Sequence, residues 1–206
     1  MKHIDLLIKR YPALCVCRED IELAVSAIIS MHRDRGKLLL CGNGGSAADC
    51  EHISGELLKG FLSKRPLNDD ELCGLDGEIR SKLQRGVAAI PLPSFSALVT
   101  AFSNDVSADC AFAQLVFSLG GQNDVLLCIS TSGNAENVCN AAKVGKEMGL
   151  KTVSMTGKSG GALFSLSDIC IRVPEDETYK IQELHLPVYH AICAEVEEIL
   201  FGGNKV

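Results

Sequence analysis

The run LLLC at residues 38–41 has no polar position. A strand made from it has no face to give to water and must be covered on both sides. The chain leaves that run through Gly42, Asn43, Gly44 and Gly45, and Ser46 then opens a helix. A buried strand that turns through glycines into a helix is the first half of a βαβ unit. Such a turn aims backbone N–H groups and the positive end of a helix dipole at one spot, which suits an anionic phosphate. Further along the helix, His52 and Glu56 are four residues apart and leave from one face. A phosphate holder joined to an imidazole and a carboxylate points to an enzyme acting on a phosphorylated small molecule.

Four more short apolar runs follow, at 87–92, 124–130, 151–155 and 169–173. Helical patterns near 96–102, 110–119, 135–148 and 160–166 alternate with them. This alternation predicts right-handed crossovers and an α/β fold, a five-stranded parallel sheet with helices on both faces. The 206 residues suffice for one such domain, spanning 1–206. Ahead of the first strand, residues 1–11 place Ile4, Leu7 and Ile8 on one side of a short helix. Residues 18–35 carry Ile21, Ala24, Val25, Ile28 and Met31 at helical spacing, with Gly36 as a stop. This N-terminal helical pair lies outside the crossovers, so residues 1–35 read as oligomerisation helices.

Residues 61–85 break the pattern. Pro66, Asn68, Asp69, Asp70, Glu71, Gly74, Asp76 and Gly77 make them a polar surface excursion, with a short helix near 78–84. It either covers the site or is a solvated loop. A long last helix, 179–201, ends at Gly202 and Gly203; Pro187 inside it should kink it or remove one ladder bond.

Composition removes other classes. No apolar run reaches membrane-spanning length, and the start MKHIDLLIKRYPAL lacks the apolar core and cleavage site of a signal peptide. A net charge of −6 with no basic block argues against nucleic-acid binding. The ten cysteines sit mostly singly within apolar segments, and Cys15 and Cys17 lack CxxC spacing. They read as reduced thiols of a cytoplasmic protein.

A second phosphate-type loop, Ser130-Thr131-Ser132-Gly133-Asn134, follows the run at 124–130. Capping a helix explains one hydroxyl well but three poorly, which favours a ligand role. Neither loop has GxGxxG or Walker A spacing, so dinucleotide and P-loop sites are excluded. In the last helix Gln182 and His190 are eight residues apart, on roughly one side. With His52 and Glu56 they make a donor set suited to Zn²⁺ or a similar divalent ion. Spacing alone does not bring the two helices together.

GNGGSAAD, then His52 with Glu56, then STSGN, then IQELHLPVYH resemble, in this order, the phosphoheptose isomerases. These SIS (sugar isomerase) domain enzymes convert D-sedoheptulose 7-phosphate to D-glycero-D-manno-heptose 7-phosphate. The resemblance implies a flavodoxin-like SIS fold, a homotetramer and active sites at subunit interfaces. It places Asn43, Gly44, Ser46 and Gln182 against the sugar and Ser130, Thr131 and Ser132 on the phosphate. It assigns His52, Glu56, Gln182 and His190 to one zinc ion per subunit. Glu56 would then be the base and His190 the acid of an aldose–ketose isomerisation through an enediol. The alternative is a non-catalytic SIS module that binds a phosphosugar or associates with a replication initiator; the complete His/Glu/Gln/His set favours catalysis. Phe95 and Tyr179 stand where the family has aspartates, Ala135 where it has a serine and Gly60 where it has an arginine. Lys59, Lys64 and Arg65 are the nearby candidates for the missing positive charge.

Overall fold

Five parallel strands lie in the order β2-β1-β3-β4-β5 in the computed structural model, which describes residues 1–202. They are β1 (Leu38–Gly42), β2 (Ala89–Pro91), β3 (Val125–Ile129), β4 (Lys151–Thr156) and β5 (Ile169–Arg172). The pleat divides the apolar runs between two cores. Leu38, Leu40, Val125, Leu127 and Ile129 join one cluster with α1 (Lys2–Arg10), α2 (Arg18–Arg33), α3 (Gly45–Leu58) and α9 (Thr178–Phe201). Leu39, Cys41, Leu126 and Cys128 join the other. There they meet α5 (Ser96–Phe102), α6 (Ala111–Leu119), α7 (Glu136–Glu147) and α8 (Leu163–Leu166). Full burial of a leucine contributes roughly 2 kcal/mol, so both faces of the central strands are firmly held. The order is that of a flavodoxin-like sheet, with β1 and β3 adjacent at its switch point. All ten cysteines are free thiols.

Local chemistry trims several predicted elements. The strand at 87–92 keeps only Ala89–Pro91, because Pro91 has no N–H and Leu92–Ser94 turn into a 3₁₀ helix. The helix at 160–166 shrinks to α8, because Gly160 and Gly161 take positive φ (76° and 53°). α9 remains one helix through Pro187, whose missing N–H removes the ladder bond to the Glu183 carbonyl.

The largest correction concerns residues 61–85. Most are exposed, and α4 (Gly77–Lys82) is a short surface helix capped by the Asp76 carboxylate. One side chain in the first part of the excursion is nevertheless withdrawn from water. The Arg65 side chain is fully buried, with Nε donating to Glu197 Oε1 at 2.6 Å. Its Nη1 donates to the Leu57 carbonyl at 2.8 Å and its Nη2 to the Glu56 carbonyl at 3.2 Å. The Glu197 carboxylate also accepts from the amides of Phe61, Leu62 and Ser63 at 2.7 to 3.1 Å. Burial pulls this carboxyl upward, but the donors outweigh burial and hold it below the ordinary glutamate value. One buried ion pair thus ties the end of α3 and the start of the excursion to α9. Arg65 is therefore spent in this clamp and cannot supply the missing charge of a phosphate site. Glu197→Ala should cost about 3–5 kcal/mol in chemical denaturation, since it leaves Arg65 buried and unpaired. Adding Arg65→Met should recover part of that loss.

α9 carries a second buried polar group. His185 is fully buried, with Nε2 3.3 Å from the Thr156 carbonyl, while Nδ1 has no partner among the described residues. Burial lowers its pKa from 6.5 to about 4. The unfolded chain therefore binds a proton over that window which the folded chain refuses. Stability present above pH 6.5 falls as pH drops toward 4, by up to about 3 kcal/mol. In His185→Gln the difference in unfolding free energy between pH 7 and pH 4 should shrink by that amount.

Candidate active site

The two small-residue loops leave the C-terminal ends of neighbouring strands. Gly42 and Ile129 are partners in the β1–β3 register, so Asn43–Gly45 and Ser130–Asn134 emerge side by side. Gly44 needs to be glycine, with φ at 54° and ψ at −120°. Gly45 leaves room for a neighbour: a Cβ there would stand 2.7 Å from Gln182 Nε2 of α9. The Gln182 amide thus lies against the first turn of α3. Ser46 is buried beneath the loop rather than presented at its surface.

Helix capping does not consume the hydroxyls of the second loop. The N-cap of α7 is Ala135, which gives no side-chain cap, and Ser132 Oγ instead accepts from the Asn134 amide at 3.1 Å. The Ser130 and Thr131 hydroxyls have no protein hydrogen bond among those described. Asn134 ties this loop to the next one, accepting from the Ala162 amide at 2.9 Å. The first loop is joined to the first turn of α7 by a reciprocal amide pair between Asn43 and Asn137, at 2.9 and 3.0 Å.

Further along α3 the chemistry-bearing groups gather. His52 Nε2 lies 3.2 Å from Glu56 Oε1 and 3.4 Å from His190 Nε2, so α3 and α9 do bring three of the four expected metal donors together. Phe61, held by the Glu197 clamp, places its ring 5.6 Å from that of His190. Burial lowers the His190 pKa, as does the nearby His52, against the opposing pull of Glu56. On the far side of His52, Nδ1 lies 3.0 Å from Tyr189 Oη, which donates to Asp49 Oδ1 at 3.2 Å. Burial raises the pKa of both Asp49 and Tyr189. Gln182 belongs to another level of the same helix, two turns before His190. No hydrogen bond described joins it to the trio.

The donor set suits zinc. Nitrogen and oxygen ligands at about 2.0–2.1 Å around a tetrahedral ion stand roughly 3.3 Å apart, which matches both separations at His52. Among the described residues no three His, Cys, Asp or Glu side chains are already arranged to hold an ion. The chemistry of the set, two imidazoles, a carboxylate and an amide oxygen, fits zinc.

The positions that depart from the family pattern are also clear. A Cβ on Gly60 would stand 2.0 Å from the Ser63 carbonyl, so this tight loop has no room for an arginine there. Lys59 is exposed, with Nζ 3.6 Å from Glu56 Oε2, and Lys64 borders a hollow shared with Lys2 and Glu198. Phe95 and Tyr179 are exposed, and Ala135 leaves α7 uncapped. Three residues escaped the sequence reading: Asp49, Asn137 and Tyr189. Asp49 had a signal, since it precedes His52 by one helical turn on the same face. The other two act across elements and had none.

Residues 16–157 match the family model for the SIS domain. Over 205 residues the chain is 36% identical to the phosphoheptose isomerase of Helicobacter pylori strain Shi470, covering 99% of this chain and 95% of that protein. It is 41% identical over 170 residues to that of Halorhodospira halophila, covering 81% and 76%. The phosphoheptose isomerase GmhA from Neisseria gonorrhoeae superposes with a TM-score of 0.76 at 30% identity, covering 96% of each chain. A phosphoheptose isomerase from Francisella tularensis gives 0.74 at 28% identity, covering 96% and 95%. The fold thus recurs over nearly the full length of both solved structures. The chain belongs to the phosphoheptose isomerase family, isomerases built on the SIS fold.

Proposed function

We propose that the protein interconverts D-sedoheptulose 7-phosphate and D-glycero-D-manno-heptose 7-phosphate by moving a proton between C1 and C2 through a cis-enediol. The observation that carries this reading is the convergence of Glu56, His52 and His190 where α3 meets α9. The names of the relatives support the substrate. Ser130, Thr131 and Ser132 take the phosphate through hydroxyls and amides. Asn43, Gly44 and Gln182 line the path of the sugar chain, with Ser46 buried beneath the loop. His52 lies seven residues beyond Gly45 on α3, about 10 Å along the helix axis. A seven-carbon phosphate, extended from the second loop, is long enough to bring its reacting end near that level.

Glu56 removes the proton from the carbon acid and returns it to the neighbouring carbon. One of its oxygens must stay free for that step. His190 protonates the sugar oxygen or assists ring opening. His52, Glu56, Gln182 and His190 would hold one zinc ion per subunit, which when bound polarises the carbonyl and stabilises the enediolate. A homotetramer with sites at subunit interfaces, assembled through α1 and α2, and a cytoplasmic location complete the reading. The family resemblance and the cysteine-rich, reduced core support these last points. Among the described residues no helix is long and apolar enough to cross a membrane.

Glu56→Gln should lower turnover of sedoheptulose 7-phosphate by about 10²–10⁴-fold, the range of a lost general base, with a smaller change in KM. Unchanged turnover would remove Glu56 from that role. Assay of five-, six- and seven-carbon sugar phosphates should show the highest kcat/KM for the seven-carbon ketose. Zinc analysis of protein purified without chelators should find about one ion per subunit.

A further inference from the structure

His52 is the member of the cluster that faces both of the others, and it does so with one nitrogen. Nε2 looks toward Glu56 and His190, while Nδ1 looks back into the protein at Tyr189 Oη, 3.0 Å away. Tyr189 is almost fully buried, and its Oη lies 3.2 Å from Asp49 Oδ1. A phenol has one proton to give. Two acceptors compete for it here, a carboxylate and a neutral imidazole nitrogen. A charged acceptor makes the stronger hydrogen bond, so the proton goes to Asp49. The phenol oxygen then has only a lone pair to offer His52, and that demands a proton on Nδ1.

We propose that Tyr189 and Asp49 are positioning residues that hold His52 in the Nδ1–H form and turn its Nε2 lone pair toward Glu56 and His190. The value of this arrangement rests on the reading above that His52 Nε2 serves as a metal donor. Glu56 Oε1, 3.2 Å from Nε2, pulls the other way, because a carboxylate favours a proton on the nitrogen it faces. Without the pair behind it, a neutral ring would place its proton on Nε2 and close the position to a metal. Partners that fix the tautomer of a ligating histidine commonly raise metal affinity by about 10–100-fold. The residues come from different elements: Asp49 sits one turn before His52 on α3, and Tyr189 immediately precedes His190 on α9. One phenol therefore orients one donor and accompanies the next.

The tautomer is measured on metal-free protein labelled with ¹⁵N-histidine, at a pH where His52 is neutral. The native protein should show Nδ1 protonated and Nε2 bare. Tyr189→Phe keeps the buried ring and removes only the oxygen, so the proton should move to Nε2. Asp49→Ala frees the phenol to donate to Nδ1 and should give the same shift. A native His52 protonated on Nε2, or a tautomer indifferent to Tyr189→Phe, would overturn the proposal. Zinc titration gives an independent reading: each variant should bind zinc about 10–100-fold more weakly. The double variant should be no weaker than Tyr189→Phe alone, because Asp49 acts through the phenol. Additive losses would show that Asp49 acts by another route and would overturn the relay. If the native protein binds no zinc, the metal reading fails while the tautomer measurement still decides this one.

Discussion

Two helices remote in sequence lie side by side and run in the same direction, and every feature of the site depends on that pairing. Gln182 meets Gly45, Tyr189 meets Asp49 and His52, and Glu197 meets the segment just beyond α3. The pairing is fixed at its far end by the buried Arg65–Glu197 ion pair, which reaches the carbonyls of Glu56 and Leu57. A buried pair of this kind is weak evidence for stability, since its desolvation cost rivals its attraction. Its value here is geometric. It ends α3 at a set height against α9, so that His52 and Glu56 stand level with His190 rather than a turn away.

The same clamp bears on the proposed phosphate end. Arg65 would be the natural partner of a phosphate, yet it is committed to Glu197, and Gly60 has no space for another arginine. The second loop offers instead the uncapped start of α7 and the Ser130 and Thr131 hydroxyls, which have no hydrogen bond among the described residues. Neutral donors at a helix terminus hold an anion without a buried cation whose desolvation must be offset. For a protein with net charge −6, a phosphate taken there as proposed would be attracted by local dipoles rather than by the overall field.

How much of this the sequence discloses depends on the range of the interaction. The alternation of apolar runs and helical patterns carries the sheet and its two covered faces, because each strand's burial is written in its own residues. The loops after β1 and β3 are equally local, since glycine and serine mark them wherever they sit. The meeting of His52 and Glu56 with His190 is not local, and only the resemblance to a family predicted it. Arg65 shows the limit most plainly. Charge and turn residues on both sides of it read as solvent-exposed, and nothing nearby reveals that Glu197, across more than half the chain, removes it from water. Gly160 and Gly161 fail in the other direction: apolar neighbours suggest helix, but their left-handed backbone delays α8 to Leu163.

The Asn43–Asn137 pair shows how such loops stay ready for a ligand. Each carboxamide has two N–H donors and an oxygen with two lone pairs, and the reciprocal bond uses one donor and one acceptor site of each. Asn43 therefore keeps a donor and a lone pair for a sugar hydroxyl without breaking the clasp. A net hydrogen bond contributes about 1 kcal/mol, so a loop that had to break one on binding would lose most of what a new contact offers. With the first loop held to α7, and the second held through Asn134 to the loop after β4, the ordering cost falls largely on folding. Binding energy is then left for placing the far end of a substrate, which the proposed reaction would set beside Glu56.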